Sequence, residues 1–359
     1  MTSLMVHEKR SHLSHINAIG ELCAQFRPGI LATIREVGAD SAIATVEAYH
    51  RLHPEAAKNS WHPSAFEAIE SPDWQQLYVN AEHDGDVGVI TINRESYSWH
   101  VDAELNRAID WLKAAGIDKL IVTGDFHLAT QMVGADTSDF FPALENADEG
   151  FKVAGSWSET ARRLNDEFAI SVGFVNGKRC LGGFLELLSH CRYLLSVDDA
   201  ALGFPEVTLP VVPGMEGCHW PFRKARRDDW PKLLQLLLTG RPVKAKDAVG
   251  WLVDYAGPLD EAIKVAWQVA SKGDQGLKQR PLAAAALDSI PGEIRGLPEA
   301  ESPGTEAARG AILECVRQSC GAPLGEALAL QAKLAAAFLT SSACREGRVG
   351  AEYVRTMAV

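Results

Sequence analysis

The fold is decided by one stretch, residues 174–217, which reads FVNGKRCLGGFLELLSHCRYLLSVDDAALGFPEVTLPVVPGMEG. It begins at the end of an apolar run, residues 169–175, that predicts a strand, and Asn176-Gly177 predict a turn. A second apolar run, residues 193–197, predicts another strand, and Pro213-Gly214 predict the start of a helix. Strands that alternate with helices in this way are typical of an α/β fold.

Two carboxylates in this stretch lie beside glycine or proline residues. Gly182-Gly183 precede a predicted helix that carries Glu186 in its first turn, and Glu206 follows Pro205 twenty residues later. A glycine at a helix start leaves backbone N–H groups unpaired, which suits a developing oxyanion. Two carboxylates in one pocket suit general acid–base chemistry on water.

Each of these features also has a simpler interpretation. Glu186 could be the solvent-facing position of an amphipathic helix, although a charge among so many apolar neighbours is costly to bury without a partner. Glu206 could be a turn or helix-cap acid, and Gly182-Gly183 an ordinary tight turn. Residue types alone leave these alternatives open.

In combination, these residues resemble the crotonase (enoyl-CoA hydratase/isomerase) superfamily, and its hydratases in particular. Hydratases of that family carry a Gly-Gly-x-x-Glu element and then a Pro-Glu at the separation seen between Glu186 and Glu206. Upstream, residues 133–136, Val-Gly-Ala-Asp, resemble the second oxyanion-loop signature of the family. The resemblance covers residues 77–270 well, extends more loosely to the C-terminus and does not include the residues before 77.

The resemblance implies specific roles at this site. Glu186 and Glu206 would hold one water and add it across the α,β double bond of a 2-enoyl-CoA, or remove it in the reverse direction. The backbone N–H groups of Val133 and Gly183 would bind the thioester oxygen. The predicted substrate- and CoA-binding residues are Ala135, Asp136, Gly182, Gly214 and Gly217. Because like charges this close do not both ionise easily, at least one pKa of the pair is expected to be raised.

Two acidic residues near this site have open assignments. Asp136 has an alternative role as the N-cap of the segment that follows it. Glu216 interrupts the small-residue run expected after Pro213-Gly214, and its side chain could face either the pocket or solvent.

The implied architecture is an α/β crotonase fold, with repeated ββα units in two roughly perpendicular sheets. The predicted divisions are an N-terminal helical extension over residues 1–76, a crotonase core over 77–270, and a linker with C-terminal helices over 271–359. The resemblance also implies a trimer or a dimer of trimers. Neither a metal nor a redox cofactor is expected, since coenzyme A is part of the substrate. The alternatives are another acyl-CoA reaction of the family, by an isomerase, hydrolase or lyase, or a non-catalytic acyl-CoA-binding scaffold.

Bulk composition narrows the class of protein. The 359 residues carry a formal net charge of −12, which argues against general nucleic-acid binding because phosphate binding needs a basic face. Seven cysteines at irregular spacing indicate free thiols in a reducing cytosol. No signal peptide is visible, and no apolar run is long enough to predict a membrane span. These features predict a cytoplasmic protein, and the resemblance adds that it is an enzyme with an acyl-CoA partner.

Periodicity predicts the remaining elements. Residues 1–10 are predicted to be disordered, residues 13–52 to be helical, and Asp84-Gly85-Asp86 to turn a β-hairpin. Residues 140–150 are predicted to form a loop. Further predicted elements are helices at 101–115, 156–167, 228–240, 244–249, 259–270, 306–319 and 324–340, a strand at 119–124, and a Pro/Gly-rich linker over 273–304.

Overall fold

The computed structural model of the chain describes residues 1–24, 26, 28–57, 60–67, 69, 76–126, 131–273, 276–277, 290, 294 and 296–358. Most of the predicted linker at 273–304 and part of the loop after residue 124 lie outside the described residues. Among the helices in the described ranges, none combines the length and hydropathy that crossing a bilayer requires.

The described residues form helices and short strands in alternation. The helices are α1 Thr2–His7, α2 Leu13–Ala24, α3 Ile30–Val37, α4 Ala39–Leu52, α5 Ser64–Glu67, α6 Trp99–Ala114, α7 Ala147–Asp166, α8 Gly183–Ser189, α9 Trp220–Lys224, α10 Trp230–Thr239, α11 Leu259–Lys272, α12 Pro303–Ser319, α13 Leu324–Leu339, α14 Ser342–Arg345 and α15 Arg348–Met357. The strands are β1 Val79–Asp84, β2 Val87–Ile92, β3 Ser96–Tyr97, β4 Lys119–Gly124, β5 Gly134–Ala135, β6 Ile170–Val175, β7 Arg179–Leu181, β8 Tyr193–Val197, β9 Ala201–Gly203, β10 Val243–Lys244 and β11 Tyr255–Gly257.

Repeated ββα units build the centre of the molecule. The first strands of the units are β2, β4, β6 and β8, which lie in one sheet of order β1-β2-β4-β6-β8-β11. Within it β1 pairs antiparallel with β2, and the other neighbours are parallel. The shorter second strands lie outside it, β7 and β9 in a sheet of order β10-β9-β7 and β3 beside β5. The repeated ββα architecture predicted from the sequence is confirmed.

The N-terminal helices pack on this sheet through both apolar and polar contacts. Leu31 and Ile34 of α3 are buried in the same hydrophobic core as the strands. Glu104 of α6 is also buried, and its carboxylate accepts hydrogen bonds from the backbone N–H groups of residues 77–79 at 2.6–3.1 Å. The same carboxylate pairs with Arg35 of α3 at 3.0 Å. Glu104 thereby joins α3, α6 and the start of β1.

The C-terminal helices belong to the same core. Ile312, Cys315 and Val316 of α12 are fully buried in it, and α13 packs lengthwise against α7. The hydrophobic core therefore includes residues from all three predicted divisions, whose boundaries stay predictions.

Several local predictions were wrong. Residues 1–10 are not disordered, because α1 packs there and the Ser3 hydroxyl donates to the Ser60 carbonyl oxygen at 3.0 Å. The predicted loop at 140–150 is helical: a 3₁₀ helix covers Thr137–Leu144, and α7 begins at Ala147 with Asn146 as its side-chain cap. The acidic composition of this segment suggested a loop, but acidic residues are also favourable at the N-terminus of a helix.

The segment after Pro213 also differs from its prediction. It does not start a helix but runs as a chain of bends and turns up to α9. Glu216 within it has a φ of 71°, in the left-handed region that non-glycine residues seldom adopt. Residues 244–249 form only a 3₁₀ turn at 245–247, and two further helices, α14 and α15, follow the two that were predicted.

Candidate active site

A largely apolar cavity of about 90 Å³ lies between β5, the start of α8, the segment after β9 and helices α7 and α13. Both candidate carboxylates lie in its wall, and both are buried. The sequence-predicted residues that line it are Val133, Ala135, Gly182, Gly183, Glu186, Glu206 and Gly214. Residues far apart in the chain are thus brought to one concave site, as a small-molecule pocket requires.

Glu186 is fixed from the loop that follows β9. Its Oε2 accepts a hydrogen bond from the Met215 backbone N–H at 2.5 Å, and the Gly217 backbone N–H faces this carboxylate and acts to lower its pKa. A β-carbon on Gly217 would lie 2.9 Å from the Glu186 carboxyl carbon, closer than real contacts allow. Gly217 therefore does not form the cavity wall as predicted, but supports Glu186 from behind.

Glu206 is held on the opposite side, in a 3₁₀ turn over Pro205–Thr208. A β-carbon on Gly182 would lie 2.7 Å from Glu206 Oε1, and Gly182 has a φ of +52°. Only glycine satisfies both conditions at this position. Each carboxylate thus packs against a glycine from another part of the chain, Glu186 against Gly217 and Glu206 against Gly182.

The buried position of the pair changes the proton affinity of both groups. Burial raises the pKa of Glu186 well above its usual value, the charge of Glu206 raises it further, and the backbone N–H donors of Met215 and Gly217 oppose this. Burial likewise raises the pKa of Glu206, to about 7. Glu186 Oε1 and Glu206 Oε2 are buried and make no hydrogen bond to the described residues. The pair therefore favours a state with one shared negative charge and presents two polar oxygens for a ligand.

Glu206→Gln is expected to stabilise the protein at about pH 8 and to have little effect near pH 4. The pKa of Glu206 rises from 4.5 to about 7 on folding, so the fold favours the protonated form. That contribution to stability is complete below pH 4.5 and is lost as the pH rises through 7. Glutamine should recover on the order of 3 kcal/mol at the higher pH. Thermal unfolding followed by circular dichroism at both pH values measures this, and an equal change at both would contradict the titration.

The backbone donors near the cavity differ in part from those predicted. Gly183 is the first residue of α8, and helix geometry leaves its N–H without an intrahelical acceptor. The Val133 N–H, in contrast, donates to the Glu95 carbonyl oxygen at 2.8 Å, so its assignment as an oxyanion donor was wrong. The Ala135 nitrogen lies on the Gly183 side, 3.6 Å from where a β-carbon on Gly183 would be. Gly134, with a φ of +117°, interrupts the regular strand geometry between Val133 and Ala135.

Asp136 has the structural role that its alternative interpretation described. Its side chain caps the 3₁₀ helix by accepting from the Ser138 N–H at 3.2 Å and the Ser138 hydroxyl at 2.7 Å. It also pairs with Arg94 at 3.5 Å. Asp136 does not line the cavity, so the structure lends no support to direct substrate contact.

Sequence reasoning missed much of the apolar wall. Phe140 and Trp157 reach the cavity from the segment predicted to be a loop and from α7, and Leu339 and Val349 reach it from the C-terminal helices. No local pattern marks these residues, because an apolar position facing a cavity has the same helical spacing as one facing the core. Among the described residues, no group of three or more His, Cys, Asp or Glu side chains is arranged to hold a metal ion.

Comparisons with known proteins match this core. No family model matches the chain. It is 33% identical over 202 residues to a probable enoyl-CoA hydratase of Rhizobium meliloti, covering 53% of this chain and 74% of that protein. It is 29% identical over 180 residues to a probable enoyl-CoA hydratase of Bacillus subtilis, covering 49% of this chain and 67% of that protein.

Among solved structures, a carnitinyl-CoA dehydratase from Mycobacterium thermoresistibile has a TM-score of 0.55 at 18% identity and covers 78% of this chain and 89% of its own. A methylmalonyl-CoA decarboxylase in complex with 2-nitronate-propionyl-CoA has the same TM-score at 17% identity and covers 77% of this chain and 96% of its own. These likenesses confirm the predicted α/β fold.

Proposed function

The chain belongs to the enoyl-CoA hydratase family of the crotonase superfamily, and on that premise we propose that it adds water to the double bond of a 2-enoyl-CoA thioester. The observation that carries the proposal is the pair of buried glutamates facing one apolar cavity, each with a raised pKa. Two carboxylates that share one charge suit a reaction in which one group takes a proton and the other gives one.

In the proposed reaction one water lies between the two carboxyl groups. The ionised carboxylate removes a proton from this water as its oxygen bonds to Cβ of the enoyl group. The neutral carboxyl group delivers its proton to Cα, so that the elements of water are added and the pair again holds one proton. The two oxygens without protein partners, Glu186 Oε1 and Glu206 Oε2, are the atoms we assign to the water.

The negative charge that develops on the thioester oxygen is stabilised by hydrogen-bond donors that already point at this oxygen. We assign this role to the backbone N–H groups of Gly183 and Ala135, which approach each other at the cavity wall. Backbone donors in a dry pocket require no reorganisation during the reaction and stabilise the enolate strongly. Ala135 replaces Val133 in this assignment because the Val133 N–H is already donated to Glu95.

Assembly and compartment are part of the same proposal. We expect a trimer or a dimer of trimers in the cytoplasm, without a resident cofactor. We assign the contact between copies to the apolar stripe of Leu259, Ile263 and Trp267 on α11, since all three are exposed. Sedimentation equilibrium measures the assembly, and a monomer at micromolar concentration would contradict it.

The proposed activity is tested by incubating the purified protein with a panel of 2-enoyl-CoA thioesters and measuring product mass. The expected result is a gain of one water, with ¹⁸O in the product when the solvent is H₂¹⁸O. Free thiol is followed in parallel. Release of coenzyme A would indicate a hydrolase, a product of unchanged mass with a moved double bond an isomerase, and binding without turnover a scaffold; each would overturn the proposal.

A further inference from the structure

We propose that Glu216 is a positioning residue that holds the Glu186 carboxylate in place through the backbone N–H groups of its two sequence neighbours, Met215 and Gly217. The inference rests on the proposed function, because it concerns how one of the two acids is presented to substrate. Glu216 itself points away from the cavity and touches none of the reacting atoms in the proposed reaction.

The backbone of residues 215–217, which we call the clamp, is shaped to hold the Glu186 carboxylate. On the two sides of Glu216, the Met215 N–H donates to the Glu186 carboxylate, and the Gly217 N–H faces the same carboxylate and acts to lower its pKa. The φ of 71° at Glu216 lies between these two donors. A left-handed residue turns successive peptide groups toward a common side, which forms a concave anion site from backbone alone. A non-glycine residue in this conformation is strained unless its surroundings hold it there.

The side chain of Glu216 supplies that hold. It is almost completely buried, and its Oε1 accepts from Arg162 Nε of α7 at 2.7 Å. Its Oε2 accepts from Trp220 Nε1 of α9 at 2.6 Å and lies 2.9 Å from His190 Nε2 at the end of α8. Three helices therefore fix one carboxylate, and through it the turn that carries the donors.

His190 provides a second connection between Glu216 and Glu186. Its Nδ1 lies 2.8 Å from the backbone carbonyl oxygen of Glu186. The loop holds the side chain of Glu186 and the histidine holds its main chain, and both contacts depend on Glu216. This double connection is what distinguishes a positioning role from a buried ion pair that only stabilises the fold.

Electrostatics are consistent with an ionised Glu216. Burial acts to raise its pKa, but hydrogen bonds and charge from His190 and Arg162 outweigh this and hold the pKa below its usual value. His219 also faces it, with a pKa lowered to about 3 by burial and by Arg223. The titratable groups that act on Glu186 are Glu206, Glu216 and Cys218.

Glu216→Gln tests the role by the direction in which the pH profile moves. Removing the charge of Glu216 alone would lower the pKa of Glu186, whereas losing the Met215 and Gly217 donors would raise it. We expect loss of the donors to prevail. At least one limb of the kcat–pH profile should then move to higher pH by about one unit. At pH 7, kcat should fall by about 10–100-fold with KM changed less than about twofold.

Glu216→Gly provides a second variant, because glycine adopts the left-handed backbone without strain and still lacks the side-chain contacts. Both variants should shift the profile upward. Glu104→Gln is the matched control, since it alters a buried glutamate with several hydrogen bonds outside the cavity and should leave both limbs unmoved. Limbs that stay in place, or that move to lower pH, in folded Glu216 variants would overturn the proposal.

A readout without turnover separates this proposal from the proposed activity. The gain in unfolding temperature caused by Glu186→Gln at pH 8 should be larger in the Glu216→Gln background than in the wild type, because an unclamped Glu186 is less stable when ionised. If wild-type protein shows no hydration but this difference is present, the proposed function is contradicted and the positioning role of Glu216 is supported. If hydration is present and the difference is absent, the positioning role of Glu216 is contradicted.

Discussion

Glu186→Gln and Glu206→Gln are each expected to lower kcat for hydration by about 10²–10⁴-fold, the span usual for removing an acid–base group. Glutamine keeps the size of the side chain but can neither accept the proton of water nor deliver one to carbon. Because both groups act on the same water in the proposed reaction, the loss of either disables the same step. Turnover of a short 2-enoyl-CoA by the wild type and both variants measures the effect.

The double variant sharpens this prediction. Residues that act as a unit are not additive, so Glu186→Gln combined with Glu206→Gln should lose little more than the worse single variant. Glu104→Gln is the control for general damage by replacing a buried carboxylate. An isomerase needs only one base to shuttle a proton, so a nearly silent substitution at either glutamate would contradict the hydratase assignment.

Gly183→Pro is expected to lower kcat by about 10²–10³-fold, the scale for one oxyanion donor. Proline is tolerated at the first position of a helix, and Gly183 holds that position in α8. The substitution therefore removes the N–H while leaving the helix able to form. Steady-state kinetics on folded protein, checked by circular dichroism, measures the loss.

Gly183→Ala is the matched control for this prediction, because alanine keeps the N–H. Its β-carbon would lie 3.3 Å from the Met215 sulfur, a contact that a flexible side chain can relieve. The alanine variant should therefore retain most of the activity. Wild-type kcat in a folded Gly183→Pro protein would remove Gly183 from the proposed oxyanion site.

The fold and the pair of acids were predicted from sequence because short motifs resemble those of a known family in order and spacing, whereas residue types alone left both assignments open. Gly182-Gly183 before Glu186 and Pro205 before Glu206 indicate tight local geometry, and apolar runs of strand length indicate the buried sheet. Of the two predicted oxyanion donors, Gly183 stays a prediction and Val133 was wrong, because the Val133 N–H is donated to Glu95. Gly134, with a φ of +117°, separates Val133 from Ala135. A dihedral angle of this kind has no signature in residue type beyond the glycine itself.

The orientation of Glu216 could not be predicted for a different reason. Its partners Arg162 and His190 come from helices well before it in the chain, and which helices meet there is decided by tertiary packing. The cavity wall contributed by Leu339 and Val349 was missed on the same ground. Contacts between distant segments are the part of a site that local pattern leaves undetermined.

The position of β1 at the edge of the six-stranded sheet has a consequence for aggregation. An exposed strand edge can pair with another chain, and proteins protect such edges by covering or charging them. Here α2 contacts the first half, where Asn80 donates to the Ser14 hydroxyl at 2.8 Å. The second half carries the exposed residues Glu82, His83 and Asp84. Loss of the N-terminal helices would leave the apolar half of this edge open, and intermolecular strand pairing would then compete with correct assembly.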